Sequence, residues 1–152
     1  MLTIETDDLS RGDIARLLQT HLDFCRAASQ PENVHALDLD GLRVPEITFW
    51  RAMEDETLLG CVALKQLDAE HGEIKSMHTL RAARGRGVGQ MLLDHLMTTA
   101  RGRGYKRLSL ETGTMKEFEA ARKLYQRNGF SDCQPFADYF DSDESVCMTK
   151  AL

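Results

Sequence analysis

The chain has 152 residues, is 42% hydrophobic and carries a formal charge of −5 at pH 7, which permits one ordinary core and leaves too little length for two separate ones. One domain over residues 1–152 is therefore expected. The sequence holds no run of about 18 apolar residues and no signal-peptide pattern at its start, and its net charge opposes general nucleic-acid binding, so a soluble cytoplasmic protein with no membrane and no nucleic-acid partner is expected.

Residues 2–6 read as an opening strand. Ser10 stands three positions before Asp13, the spacing of a helix-capping pair, and Ile14, Leu17, Leu18, Leu22 and Cys25 recur at helical spacing, predicting a helix to about residue 27 with one buried stripe. An irregular stretch follows to Pro45, with a short helix and loop expected over 36–42; by position it is the candidate specificity element. Residues 47–53 and 57–66 are rich in strand formers on either side of Glu54-Asp55-Glu56 and predict an antiparallel hairpin. Residues 73–79 predict a third strand. A helix is expected over about 87–101, with Val88, Met91, Leu92, Leu96 and Thr99 inward and Gly102 or Gly104 ending it. Residues 106–111 read as a strand, so 73–111 predicts a crossover joining parallel strands. A last helix over 115–128 is stopped by Asn128-Gly129, and two strands near 130–133 and 146–151 pair at the end. The four cysteines, Cys25, Cys61, Cys133 and Cys147, show no C-x-x-C spacing and are read as buried thiols, and the five histidines show no metal spacing.

The most informative segment is Arg84-Gly85-Arg86-Gly87-Val88-Gly89, where the third predicted strand gives way to the long helix. Backbone N–H groups at a helix start have no intrahelical partner and point outward, which makes an anion site. Glycines let a diphosphate approach the backbone and allow the positive φ angles that turn N–H groups inward. Charge agrees: residues 81–107 hold seven basic side chains against Asp94, a local +6, while the remainder carries 12 basic and 23 acidic residues, or −11. A Walker loop is absent, because Gln90 follows Gly89 where lysine would have to stand. A dinucleotide fingerprint needs G-x-G-x-x-G rather than the G-x-G-x-G found here, although Glu111 lies where a ribose-binding acid could.

Arg84-x-x-Gly87-x-Gly89 resembles the Q/R-x-x-G-x-G/A signature of the GNAT superfamily of N-acetyltransferases. Ala121-Arg122-Lys123-Leu124-Tyr125-Gln126-Arg127-Asn128-Gly129-Phe130 resembles the superfamily's later A-x-x-L-Y-x-x-x-G-F segment, and the order of elements agrees over nearly the whole chain. The resemblance implies an α/β fold: a mixed, mostly antiparallel sheet of about seven strands with one splayed parallel pair and helices on both faces. It implies acetyl-CoA as cosubstrate, no metal, an acceptor that is a small-molecule or peptide amine, and a homodimer as one option.

By the same resemblance, the backbone of Met77, His78 and Thr79 holds the acetyl-pantetheine arm in the gap between diverging strands, while Arg84, Gly85, Arg86, Gly87, Val88, Gly89 and Gln90 take the pyrophosphate. Tyr125 is the implied general acid for the leaving thiolate. Glu73 stands where histone-type members carry a catalytic base, and Glu111 on the neighbouring strand is the reserve base or an anchor for the substrate amine. One departure is visible: Phe118 occupies the place of an asparagine that commonly binds the pantetheine arm. Two readings compete with the enzyme: an acyl-CoA sensor without turnover, and an RNA-binding module using the Arg-Gly segments.

Overall fold

In the computed structural model, residues 1–31 and 36–152 are described. Seven strands form one sheet in the order β1-β2-β3-β4-β5-β7-β6, with β1 Leu2–Thr6, β2 Ile47–Glu54, β3 Thr57–Gln66, β4 His71–Thr79, β5 Arg107–Gly113, β6 Ser131–Cys133 and β7 Ser145–Ala151. All neighbours are antiparallel except β4 and β5, which run parallel. This is the mixed, mostly antiparallel α/β sheet that the sequence resemblance implies. Among the described residues four α-helices accompany it: α1 Gly12–Ala28, α2 Leu39–Leu42, α3 Val88–Gly102 and α4 Glu119–Arg127.

Alternation along the strands divides the core between the two faces of the sheet. On one face Trp50, Val62, Leu64, Ile74, Leu108 and Leu110 pack against Leu92, Leu93 and Leu96 of α3 and Tyr125 of α4. On the other, Phe49, Met53, Cys61 and Ala63 pack against Ile14, Leu17 and Leu18 of α1 and Leu42 of α2. Helices therefore cover both faces.

Several local expectations are corrected. Ser10 does not cap α1: its hydroxyl donates to Asp8, and Asp13 instead accepts from Arg11 and from the Ile14 amide. The helix is held by its buried stripe rather than by a side-chain cap. In α3 the buried set is Val88, Leu92, Leu93, Leu96, Met97 and Ala100, whereas Met91 is exposed and Thr99 only half-buried; the helix lies on the sheet turned about one residue from the expected stripe. The last helix begins later than expected, after a 3-10 turn at Lys116–Phe118. Cys25 and Cys133 are partly exposed, while Cys61 and Cys147 are buried. The irregular stretch before Pro45 does contain a short helix, α2; its residues 32–35 lie outside the described residues.

Both helices on the α3 face of the sheet end in a left-handed glycine. At the end of α3, Gly104 has φ 83°, its N–H donates to the Arg101 carbonyl and that of Tyr105 to Ala100. In α4, Gly129 has φ 90°, its N–H donates to Gln126 and that of Phe130 to Tyr125. This two-bond closure brings the Phe130 ring onto the Tyr125 ring, with centroids 5.8 Å apart. The ending of α4 thereby fixes Tyr125 in place.

Candidate active site

The parallel ladder between β4 and β5 is short. It pairs His71 with Arg107 through Ile74 with Leu110 and then stops, although both strands continue. Beyond that apex β4 bulges: Cys61 pairs His78 and Ala63 pairs Lys75, so Ser76 and Met77 together oppose Val62, and Ser76 takes φ 54°. Gly60 on β3 permits this course, because a β-carbon there would stand 2.7 Å from the His78 carbonyl oxygen. The result is a V-shaped gap whose β4 edge presents backbone groups with no partner strand.

At the open end of the V stands the start of α3. Gly85 and Gly87 both have φ 78°, and Gly87 is the N-cap. The first intrahelical bond runs from the Met91 N–H to the Gly87 carbonyl, which leaves the amides of Val88, Gly89 and Gln90 directed outward. The space a β-carbon would fill at Gly85 or Gly87 is empty to 4 Å. The left-handed backbone calls for glycine at both positions, and no neighbouring protein atom occupies the room beside them. A backbone cradle at a helix N-terminus suits a diphosphate.

A cleft of about 490 Å³ joins these features. Met77, His78, Thr79, Arg84, Gly85, Gly87, Val88, Gly89 and Gln90 line it, as do Glu111 and Tyr125. Arg86 turns away and pairs with Glu54. Gln90 contributes its backbone, because its side-chain amide is exchanged with that of Asn128 and ties α3 to α4. Glu73 is 2% exposed and outside the cleft lining; its carboxylate accepts from Lys75 at 3.1 Å and from the Tyr139 hydroxyl.

Among the lining residues that the sequence did not assign to the site are His21, Phe24, Cys25, Lys75 and Tyr139. His21, Phe24 and Cys25 come from α1, on the flank of its buried stripe, where their spacing is the only signal. Lys75 lies two positions beyond Glu73 on β4, so alternation sends both to one face. Tyr139 sits in the loop between β6 and β7, where no periodicity marks it.

Burial dominates the electrostatics. Desolvation pushes Glu111 up to about 7, against the pull of Lys75 and with a further push from Glu73. Tyr125 is raised above the ordinary phenol range by burial and by Glu111, so it stays protonated and offers a proton rather than a charge. Cys25 is pushed up to about 11 by burial and by Glu111, which leaves it a thiol. His21 and His78 meet Nδ1 to Nδ1 at 3.0 Å. Each is lowered to about 4 by burial, His21 further by His78 and His78 by Arg84. The pair is therefore neutral, one ring donating to the other.

A pH dependence of stability follows. The folded histidines bind protons less readily than the unfolded ones, so their contribution is complete above about pH 6.5 and is lost as pH falls toward 4. Denaturant unfolding between pH 7 and 4 is expected to show this loss, and His21→Phe, which keeps a ring against His78, is expected to reduce its slope. An identical slope in the variant would place the acid-sensitive groups elsewhere.

Comparison with known proteins agrees with the geometry. Residues 14–130 match the family model described as "Acetyltransferase (GNAT) family". The uncharacterized N-acetyltransferase YsnE of Bacillus subtilis is 52% identical over 149 residues, covering 98% of this chain and 99% of its own. A Klebsiella pneumoniae crystal structure, described as a candidate acyl-CoA N-acyltransferase, superposes with TM-score 0.82 at 27% identity over 100% of this chain and 98% of its own. A GNAT-family acetyltransferase from Elizabethkingia anophelis, solved with acetyl-CoA bound, shares the fold at TM-score 0.74 and 20% identity, with 99% and 98% covered.

Proposed function

The chain belongs to the acetyltransferase (GNAT) family, and from that premise we propose that it moves an acetyl group from acetyl-CoA directly to a primary amine, whether of a small molecule, an amino acid or a peptide. The observation that carries this reading is one continuous cleft running from the open N-terminus of α3 to the apex of the β4–β5 splay. Acetyl-CoA supplies an acyl group activated as a thioester. The residues present suit it: the amides of Val88, Gly89 and Gln90 would hold the pyrophosphate, and the unpaired β4 edge at Met77, His78 and Thr79 the pantetheine arm.

The chain's own groups then divide the chemistry. A backbone amide of the β4 edge stabilises the charge developing on the thioester oxygen. Glu111, at about 7, takes the proton that a primary ammonium must lose before its nitrogen can attack. The nitrogen forms the new C–N bond, the C–S bond breaks and Tyr125 donates to the leaving sulfur; the second proton, shed by the nitrogen once it has attacked, returns Tyr125 to the phenol. A raised phenol is a weak acid, but the same dry surroundings make a thiolate more basic, so donation is favourable where both are buried. Glu73 is already committed to Lys75 and Tyr139, which favours Glu111 as the base.

The test is acetyl-CoA-dependent thiol release across a panel of small amines, amino acids and peptides, preceded by thermal unfolding with added acetyl-CoA, which a folded-state ligand must raise. Tyr125→Phe is expected to lower kcat by about 10- to 100-fold with the acetyl-CoA Kd little changed. A rate within about twofold of the parent would remove Tyr125 from the proton path.

A further inference from the structure

Lys75 and Glu111 occupy equivalent places. Ile74 on β4 and Leu110 on β5 form the last rung of the parallel ladder, so Lys75 and Glu111 are the first residues past it on the two diverging strands. Ile74 and Leu110 both point into the α3 face of the core. Alternation sends the next residue of each strand to the opposite face, and both line the cleft there. One ammonium and one carboxylate thus flank the apex from either side.

The ammonium is not free to wander. Its Nζ donates to Glu73 at 3.1 Å and to the Tyr139 hydroxyl at 2.8 Å, while that hydroxyl donates in turn to Glu73. The Lys75 and Glu73 side chains are only 9% and 3% exposed. Burying such a pair is a costly way to gain stability, because desolvation offsets most of the attraction. Its position beside Glu111, a carboxylate that lines the cleft at the apex, gives it a use.

We propose that Lys75 is a positioning residue, held by Glu73 and the Tyr139 hydroxyl as a fixed counter-charge to Glu111, and that its ammonium keeps Glu111 able to accept a proton. The proposal rests on the reading of Glu111 as base. The groups around Glu111 are Lys75 and Glu73 on β4, Cys147 opposite it on β7, Cys25 on α1, Tyr125 on α4 and Tyr139 in the loop. The thiols and phenols among them are all pushed upward by burial and stay neutral. Lys75 and Glu73 are therefore the neighbouring charges that act on it, and they act in opposite directions.

The experiment is a carboxyl ¹³C titration of the free, glutamate-labelled protein, with the Glu111 signal assigned by its loss in Glu111→Gln. Lys75→Met is expected to move the midpoint up by roughly one pH unit or more, Tyr139→Phe to move it the same way by less, and Glu73→Gln to move it down. Lys75→Arg, which keeps the charge, is expected to stay close to the parent. A midpoint unmoved by Lys75→Met, or shifts of the same sign in Lys75→Met and Glu73→Gln, would overturn the proposal. Once the amine panel supplies an acceptor, the acidic limb of the pH–rate profile separates the two ideas. A limb that persists in Glu111→Gln removes Glu111 as base, whereas midpoints that fail to move remove Lys75 as its counter-charge.

Discussion

Glu111→Gln is expected to lower turnover of a primary amine by about 10²- to 10⁴-fold, the usual range for loss of a positioned base, and to abolish the acidic limb of the pH–rate profile near pH 7. Glutamine keeps the shape and the hydrogen-bonding surface of the side chain, so the loss reports the proton acceptor. The same substitution has a signature without substrate. Glu111 is an acid whose folded-state value is raised from 4.5 to about 7. Below pH 4.5 both states are protonated and the group costs nothing; as pH rises toward 7 the unfolded chain ionises first, and stability is lost through that window. At about 1.4 kcal/mol per unit the cost is on the order of 3 kcal/mol at most. Glu111→Gln is therefore expected to raise Tm at pH 8 and to leave it nearly unchanged at pH 4.5. An unchanged Tm difference between those pH values, together with a preserved limb, would show a carboxylate that is neither buried in its effect nor catalytic.

Gly87→Val is expected to weaken acetyl-CoA binding by at least about 100-fold, equal to roughly 2.7 kcal/mol, while the chain still folds. Two causes act together. The residue caps α3 at φ 78°, a conformation that costs a β-branched residue on the order of 1–3 kcal/mol. Its side chain would also enter the empty side of the cradle, which meets no protein atom within 4 Å. The absence of an internal clash is why the fold is expected to survive. Circular dichroism checks the fold, and calorimetric titration checks the binding. A Kd within about threefold of the parent would mean that the pyrophosphate does not lie against these amides.

How much of this was legible depended on whether a feature is local. Arg84 to Gly89 declared a helix start with room for an anion, since glycine spacing and the following apolar periodicity are local properties. Asn128-Gly129 announced a left-handed helix end in the same way, and the structure adds that this ending seats Tyr125. The splay was legible only through the resemblance, because the stopping of a ladder after Ile74 and Leu110 depends on which strands meet. The Glu73–Lys75–Tyr139 clamp joins residues up to 66 positions apart, and no pattern along the chain marks Tyr139. Likewise the His21–His78 contact bridges 57 positions. Glu73 illustrates the limit most plainly: its place on β4 was legible, and its partners were not. The wrong details, such as Ser10 as a cap and Met91 as an inward residue, were settled by tertiary packing over local preference.

In the proposed reaction the helix-start amides beyond Gly87 grip a diphosphate and thereby aim a thioester at the apex between Lys75 and Glu111. A crystal structure of the protein with acetyl-CoA measures this directly. Pyrophosphate oxygens are expected within hydrogen-bond distance of the Val88, Gly89 and Gln90 nitrogens, with the pantetheine arm along Met77 to Thr79. A coenzyme bound with its pyrophosphate away from that helix start would contradict it.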